Sequence, residues 1–327
     1  MQVQHLVGGN GFNPIGTNPT YFAGTFDGLG HTISNLFINR PSTNFIGLFG
    51  YTYRATIQNI GLLANNITGL GYVGGLVGLA HTSTIANSYA TGAVTRVGTY
   101  VGGLVGYAES STISNSYVTG AVTGVGTYVG GLVGWAYSST ISNSYATGAV
   151  GGINDVGGLV GLAFSTSSIV NSYATGAVTG VGTYVGGLVG DAYTSTISNS
   201  YATGAVGGTS KVGGLVGYTD SSTISNSYAT GAVTGTTDIG GLLGNGTPGI
   251  INSFWDKDST GQTTSSGAGT GLTTAQMKDT KTFFDAGWDF DTVWGRDTNN
   301  VQNSGYLDLR GLNSFSFNTV LSATVAD

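Results

Sequence analysis

From Leu48 onward the chain restates one phrase of 27 or 28 residues, and this period limits the possible folds more than any other property. The leucines of the GLVG-like units, Leu48, Leu76, Leu104, Leu132, Leu159, Leu188, Leu215 and Leu242, are 28, 28, 28, 27, 29, 27 and 27 residues apart. The asparagines of NSY follow the same rhythm: Asn87, Asn115, Asn143, Asn171, Asn199 and Asn226, with Asn59 and Asn252 as degenerate ends. Length varies in two places only, after the GYA-like residues and within TGVGTY. Turns absorb such changes and packed strands do not. Repeats of this size are single supersecondary units that bury an apolar face only by stacking on one another.

Between the turns lie VGGLVG and TISNSYATGAV, rich in β-branched residues and Tyr and free of helical 3.6-residue spacing. The second is too long for one side of a compact coil, so a corner is expected inside it. Its Asn is the natural pivot, because Asn tolerates left-handed backbone geometry. Three short strands per coil then predict an all-β fold, a right-handed parallel β-helix of nine coils, each rising roughly 4.8 Å. Like residues stack on like: Ile57, Ile85, Ile113, Ile141, Ile169, Ile197 and Ile224 form one apolar column. The Asn column can link amides from coil to coil. Stacked like charges would repel, which fits a charged fraction of only 7%. Hydrophobic residues at 40% set the chain apart from disordered linkers.

The ends differ from the middle. Residues 1–46 read as degenerate N-terminal coils or cap, 47–252 as the repeat region, and 253–327 as a C-terminal cap or junction. Three of the four Trp lie after Asn252, and eight of the fifteen acids lie between Asp256 and Asp308. There LTTAQMKDTKTFFDAGW predicts one short helix capped by Thr273 or Thr274.

Several classes are excluded. There is no Cys, hence no disulfide, thiolate or Cys-based zinc site. The nine Lys and Arg form no basic stripe, so nucleic acid is not an expected partner. No apolar run approaches the 18 or so residues of a membrane-spanning helix, and the opening MQVQHLVGG does not read as a secretory signal.

GGLVG followed by I-x-N-S-Y-A-T-G-x-V resembles the GLUG-motif repeats of bacterial surface and secreted proteins. Phe22 to Leu36, FAGTFDGLGHTISNL, is similar to an opening coil common in that group, and GLTTAQMKD with AGWDF and VWG to the segment that follows its last repeat. The likeness covers about residues 21–310. It implies an extracellular or cell-surface β-helix, of the kind found in haemagglutinin-like adhesins, with no catalytic residues and no cofactor.

Within that frame, function falls to the letters that change. The column before VGG reads Tyr72, Tyr100, Tyr128, Asp155, Tyr184, Lys211 and Asp238, a mixture expected to be solvent-exposed, with Lys211 and Asp238 placed to pair. A second strip follows LVG: Tyr107, Trp135, Leu162, Asp191 and Tyr218, with Glu109, Tyr137, Phe164, Tyr193 and Asp220 two residues on. Exposed rings in a row suit a glycan or a protein surface, and Trp135, Tyr137, Phe164 and Tyr193 are the leading cluster. The Tyr89–Tyr228 column points inward by strict alternation from Ile, or outward if the chain turns at Asn. Asp256, Asp258 and Thr260 copy the start of a calcium loop, but Gly267 stands where the bidentate Glu belongs; the alternative is a polar turn. Two duties compete: self-association into a homo-oligomer, filament, sheath or matrix is the leading expectation, because so few charges oppose it, and glycan binding is the alternative. A polysaccharide-degrading enzyme would need a carboxylate pair, whereas the repeat's acids lie on different coils. An ice-binding face would need a T-x-T spacing that is absent.

Overall fold

A computed structural model describes residues 9–96, 98–267, 269–296 and 303–312. The chain is an all-β parallel solenoid of about eight turns, one fewer than the period suggests. Residues 9–22 form no strand of the walls and are tied to the first coils by isolated bridges at Gly11, Ile15 and Phe22 and by contacts such as the Asn39 N–H to the Asn10 carbonyl and Tyr21 against Tyr51 and Tyr53. The walls are parallel sheets of 15, 14 and 10 strands.

One coil shows how the phrase folds. Its strands are Thr127–Gly130, Val133–Tyr137, Thr140–Ser142, Tyr145–Ala146 and Val150–Gly152. The expected three sides are present as sheets, but two of them are each broken into two strands by a bend. Each strand pairs in register with its counterpart a coil away, as Ile113 with Ile141 and Tyr117 with Tyr145. The Ile column, the Leu of GLVG and the flanking Val are fully buried and form one continuous core.

The Asn corner is as expected. Asn87, Asn115, Asn143, Asn171, Asn199 and Asn226 hold φ between 46° and 49°. Asn87 donates to Asn59 at 3.1 Å, Asn115 to Asn87 at 3.2 Å and Asn171 to Asn143 at 3.3 Å. This turn reverses the alternation. Ser144 and Ala146 face inward and Tyr145 faces out, so the Tyr column is an outer ladder. Its rings stack at 4.8 Å from Tyr89 through Tyr201, within 2° of parallel.

Two buried Ser ladders hold the corners. Where the chain turns, a buried N–H cannot join a strand ladder and must find a side chain. The Ser116 N–H donates to Ser144 Oγ and the Ser144 N–H to Ser172 Oγ, both at 3.2 Å. The second corner repeats the device, Ser111 N–H donating to Ser139 Oγ at 3.0 Å. Ser144→Ala strands a buried N–H and should lower stability by about 1–2 kcal/mol. A denaturant midpoint equal to the parent's would show that the ladder does not hold the corner.

The C-terminal segment does not extend the rod beyond Phe254–Asp256 and Thr270–Leu272. It turns back along its flank. The expected single helix is two: α1 (Lys257–Thr260) comes first, then α2 (Thr274–Met277), in which Thr273 and Gln276 form a capping box, and α3 (Thr280–Asp285), capped by Asp279. Asp279 competes for the helix N–H groups, which breaks the run in two. Beyond them the antiparallel pair Trp294–Arg296 and Leu307–Leu309 lies over the Tyr ladder. Trp294 sits 5.9 Å from the Tyr228 ring, and Tyr201 Oη donates to Asp308 at 2.8 Å. Tyr173, Tyr201, Tyr228 and Phe254 thus belong to a second buried cluster with Phe283, Trp288 and Trp294.

Candidate functional site

The variable letters of the repeat meet on one corner and the adjoining sheet. Tyr72, Tyr100, Tyr128, Asp155, Tyr184, Lys211 and Asp238 occupy a turn with φ between 49° and 73°. A bulky side chain is rarely found there, because Cβ crowds the carbonyl at a cost of about 1–2 kcal/mol. Ring stacking offsets that cost: Tyr72 lies 4.7 Å from Tyr100, and Tyr100 lies 5.4 Å from Tyr128. The second strip interdigitates with the first, Trp135 sitting 5.3 Å from both Tyr100 and Tyr128 and Tyr107 within 6.0 Å of Tyr72 and Tyr100. Most of these rings are therefore half-buried and not freely exposed as the sequence suggested. Gly134, the last Gly of GLVG, is required behind them: a Cβ there would lie 2.6 Å from backbone atoms of Gly106 and Val101.

Lys211 and Asp238 do not pair. The Lys211 ammonium lies 4.6 Å from the Tyr184 centroid and 4.3 Å from Tyr218, a two-ring cation–π seat. Asp238 accepts from Asn245 at 3.0 Å instead. The ammonium turns to these rings because Tyr218 of the second strip sits between the levels of Tyr184 and Lys211, on the side away from Asp238.

Beside this zipper, Tyr137, Phe164 and Tyr193 form an outer row on successive coils, at 5.8 and 5.7 Å, with Trp135 edge-on to Tyr137. The structure thus brings the leading cluster together, and Phe164 is 37% exposed.

The sequence did not bring Asp155 and Asp191 together, yet they are hydrogen-bonded neighbours on adjacent coils, 7% and 5% exposed. Burial raises the Asp155 carboxyl to about 6. Burial, reinforced by the neighbouring Asp155, raises Asp191 to about 8. The pair therefore holds a shared proton at neutral pH. Glycosidase carboxylates stand about 5–9.5 Å apart, so a hydrogen-bonded pair does not fit that chemistry.

At the C-terminal cap, Asp256 caps α1, accepting from the N–H groups of Asp258 and Ser259, and also takes Thr274 Oγ1 and Tyr306 Oη at 2.7 and 2.6 Å. Burial opposes its ionisation, but these donors outweigh burial and hold its carboxyl below the usual range. Asp258 accepts from the Thr274 N–H, and Thr260 Oγ1 donates to the Asp256 carbonyl. The three residues serve as cap and tie between α1 and α2. Among the described residues no group of three His, Cys, Asp or Glu could hold a metal ion.

Six consecutive segments, residues 69–95, 97–123, 125–151, 152–179, 181–207 and 208–234, match the GLUG motif. The chain is a GLUG-motif repeat protein. The GLUG boundaries fall within or beside the TGVGTY turn, so each copy of the motif is one coil. Over 46 residues, 14% of the chain, this GLUG protein is 59% identical to a protein of Evansella cellulosilytica provisionally named a Gly-rich membrane protein. Over 90 residues, 27% of the chain, it is 46% identical to halomucin of Haloquadratum walsbyi. The matches span 5% and 1% of those relatives' lengths. A solved structure from Bacteroides ovatus, provisionally named an immunoglobulin A1 protease, aligns over 87% of this chain and 76% of its own, with 19% identity and a TM-score of 0.41. That likeness is too low to transfer any chemistry. No helix among the described residues is long and apolar enough to cross a membrane.

Proposed function

We propose that this GLUG-motif solenoid is a non-enzymatic adhesive rod, displayed at a cell surface or outside the cell, that binds glycan through its aromatic face. The observation that carries this reading is the Tyr137, Phe164 and Tyr193 row beside Trp135, a contiguous ring surface on a rigid sheet. Sugar C–H faces pack on such rings, and the tyrosyl hydroxyls at the rim add hydrogen bonds. The strained Tyr corner supports it, since strain kept where Gly or Asn would relieve it points to use of the rings. The test is binding to a panel of immobilised oligosaccharides. A Tyr137→Ala, Phe164→Ala, Tyr193→Ala triple variant should lose affinity about tenfold or more, with its melting temperature little changed. Equal binding by parent and variant would refute the reading.

A second reading, lateral self-association, is favoured by the sheet carrying Ala121, Thr123 and Val125 and, two coils on, Ala177, Thr179 and Val181. That face exposes uncharged side chains, including Val125 at 56% and Val181 at 70%. Association through the C-terminal end is less well supported, because Thr264 and Gln262 already bond Gly241 and Val233 of the last coil. Electron microscopy separates the two duties: ordered filaments favour assembly, and dispersed rods favour display.

A further inference from the structure

The 14-stranded sheet carries an outer relief that the fold does not require. The residue after each buried Val of the TGAV strands points outward, giving the column Thr123, Gly151, Thr179, Gly207 and Thr234, each paired in register with the next. Side chain and gap therefore alternate with a period of two coil rises, roughly 10 Å. An exposed Ala column, from Ala121 to Ala232, flanks it on one side, and Val125, Ile153 and Val181, 56%, 36% and 70% exposed, flank it on the other. No Asp, Glu, Lys or Arg lies among them. The neighbouring glycines are forced by the fold: a Cβ at Gly148 would lie 2.0 Å from the Gly120 carbonyl oxygen, and one at Gly152 would lie 2.7 Å from the Val156 side chain. The two gaps are not. A Cβ at Gly151 meets nothing within 4 Å, one at Gly207 meets only Thr234 Oγ1 at 3.4 Å, and neither Gly has a positive φ. Gly weakens a strand for want of a side chain to pack, so these two coils keep the gaps open at the expense of their own stability.

We propose that this face pairs with the same face of a second copy, in an antiparallel two-fold dimer whose Thr side chains seat in the partner's Gly gaps. The inference rests on the lateral-association reading above and names its partner and geometry. A two-fold contact sets one patch against itself. With the axis lying across the rods, the Thr/Gly column faces its own copy in reversed coil order. Thr123 then lies over the partner's Gly207 and Thr179 over the partner's Gly151, and symmetry supplies the reciprocal contacts. The same operation sets Ile153 against the partner's Val181, apolar on apolar. An axis along the rods would instead set Thr on Thr at every level and Ala against Val. Thr95, which continues the column as Thr, meets the partner's Thr234 only at the two rims. Small, uncharged side chains let the sheets approach closely with no ion to desolvate. The aromatic row of Tyr137, Phe164 and Tyr193 lies on the 15-stranded sheet, so pairing leaves it uncovered.

The test fills the gaps. Thr already stands on either side of both glycines in this column, so a Gly151→Thr, Gly207→Thr variant should fold at least as stably as the parent. In analytical ultracentrifugation of the full chain, its dimer should dissociate at least about tenfold more readily, with the melting temperature unchanged or higher. A spin label on Thr236→Cys, exposed at one rim, should lie five coil rises from its counterpart in the parent dimer, roughly 24 Å along the rod. A clearly shorter separation, about one rise for parallel rods one coil out of step, would overturn the antiparallel pairing. If the filled variant dimerises as the parent does, the interlock is wrong; loss of the dimer in Val125→Lys, Val181→Lys would then leave lateral association through this face standing. If the parent stays monomeric at high micromolar concentration, both readings fall.

Discussion

Gly148→Ala should unfold the middle of the rod. A Cβ built at Gly148 lies 2.0 Å from the Gly120 carbonyl oxygen of the preceding coil, with further backbone atoms at 2.5 and 2.9 Å. No side chain can swing away, because every obstacle is backbone. The coil spacing cannot widen either, since parallel ladders on every wall fix it: Val122 pairs with Val150, and Tyr117 with Tyr145. Overpacking usually costs about 1–3 kcal/mol, and a backbone-on-backbone clash belongs at or above the top of that range. Solenoid stability is a sum over neighbouring coils, so the damage should be local first. Hydrogen exchange should accelerate in the strands of residues 117–152 before it does so near either end, and the denaturant midpoint should fall. Uniform exchange with an unchanged midpoint would contradict this account.

Stability should also decline with rising pH between about 4 and 8 because of two buried acids. Asp155 and Asp191 titrate near 3.8 when unfolded, and in the fold burial raises them to about 6 and about 8. Below pH 4 both states carry the protons and the pair costs nothing. As pH rises, the unfolded chain ionises while the fold retains its protons, so unfolding gains by about 1.4 kcal/mol per pH unit for each proton retained. The penalty accumulates fastest between about 4 and 6, more slowly to about 8, and is then constant. Asp191→Asn removes the higher of the two titrations and should make the rod more stable than the parent at pH 8, with a flatter profile. Parallel profiles for the two proteins would rule out the pair as the cause.

Much of the fold is legible because stacking turns sequence period into spatial position. The Ile column, the Asn pivot and the three walls each follow from one repeated letter, and all three are present. What the repeat does not encode is the stagger between neighbouring columns. Trp135 sits between Tyr100 and Tyr128, half a coil from its own level. That same offset puts Asp191 beside Asp155 and Tyr218 beside Lys211, so the acid pair and the cation–π seat were hidden, and a Lys211–Asp238 pair was expected instead. The inner Ser ladders had a signal, an unvarying Ser before each Tyr, but a hydroxyl reads as surface until the corner geometry assigns it a buried N–H. Orientation of the Tyr ladder depended on φ at Asn, which alternation alone leaves open. Its partial cover could not be read at all: the contact of Tyr201 with Asp308 joins residues 107 apart, and no periodicity reaches beyond the last coil.

The register of coil upon coil also bears on how such a rod changes over generations. Val101 lies opposite Val129 and Gly102 opposite Gly130, so removing or duplicating residues 100–127 preserves the Thr–Tyr chain junction and the pairing of the invariant columns, and changes only which variable residues become neighbours. Gain or loss of one such repeat then alters length in a whole 28-residue step while the wall pairing is kept. Rod length becomes a freely inherited variable. The place held by Asp155 and Asp191 does not, because it depends on two unlike copies being neighbours. A single crossover can erase that adjacency or carry it to a new height above the base, leaving the rest of the rod untouched.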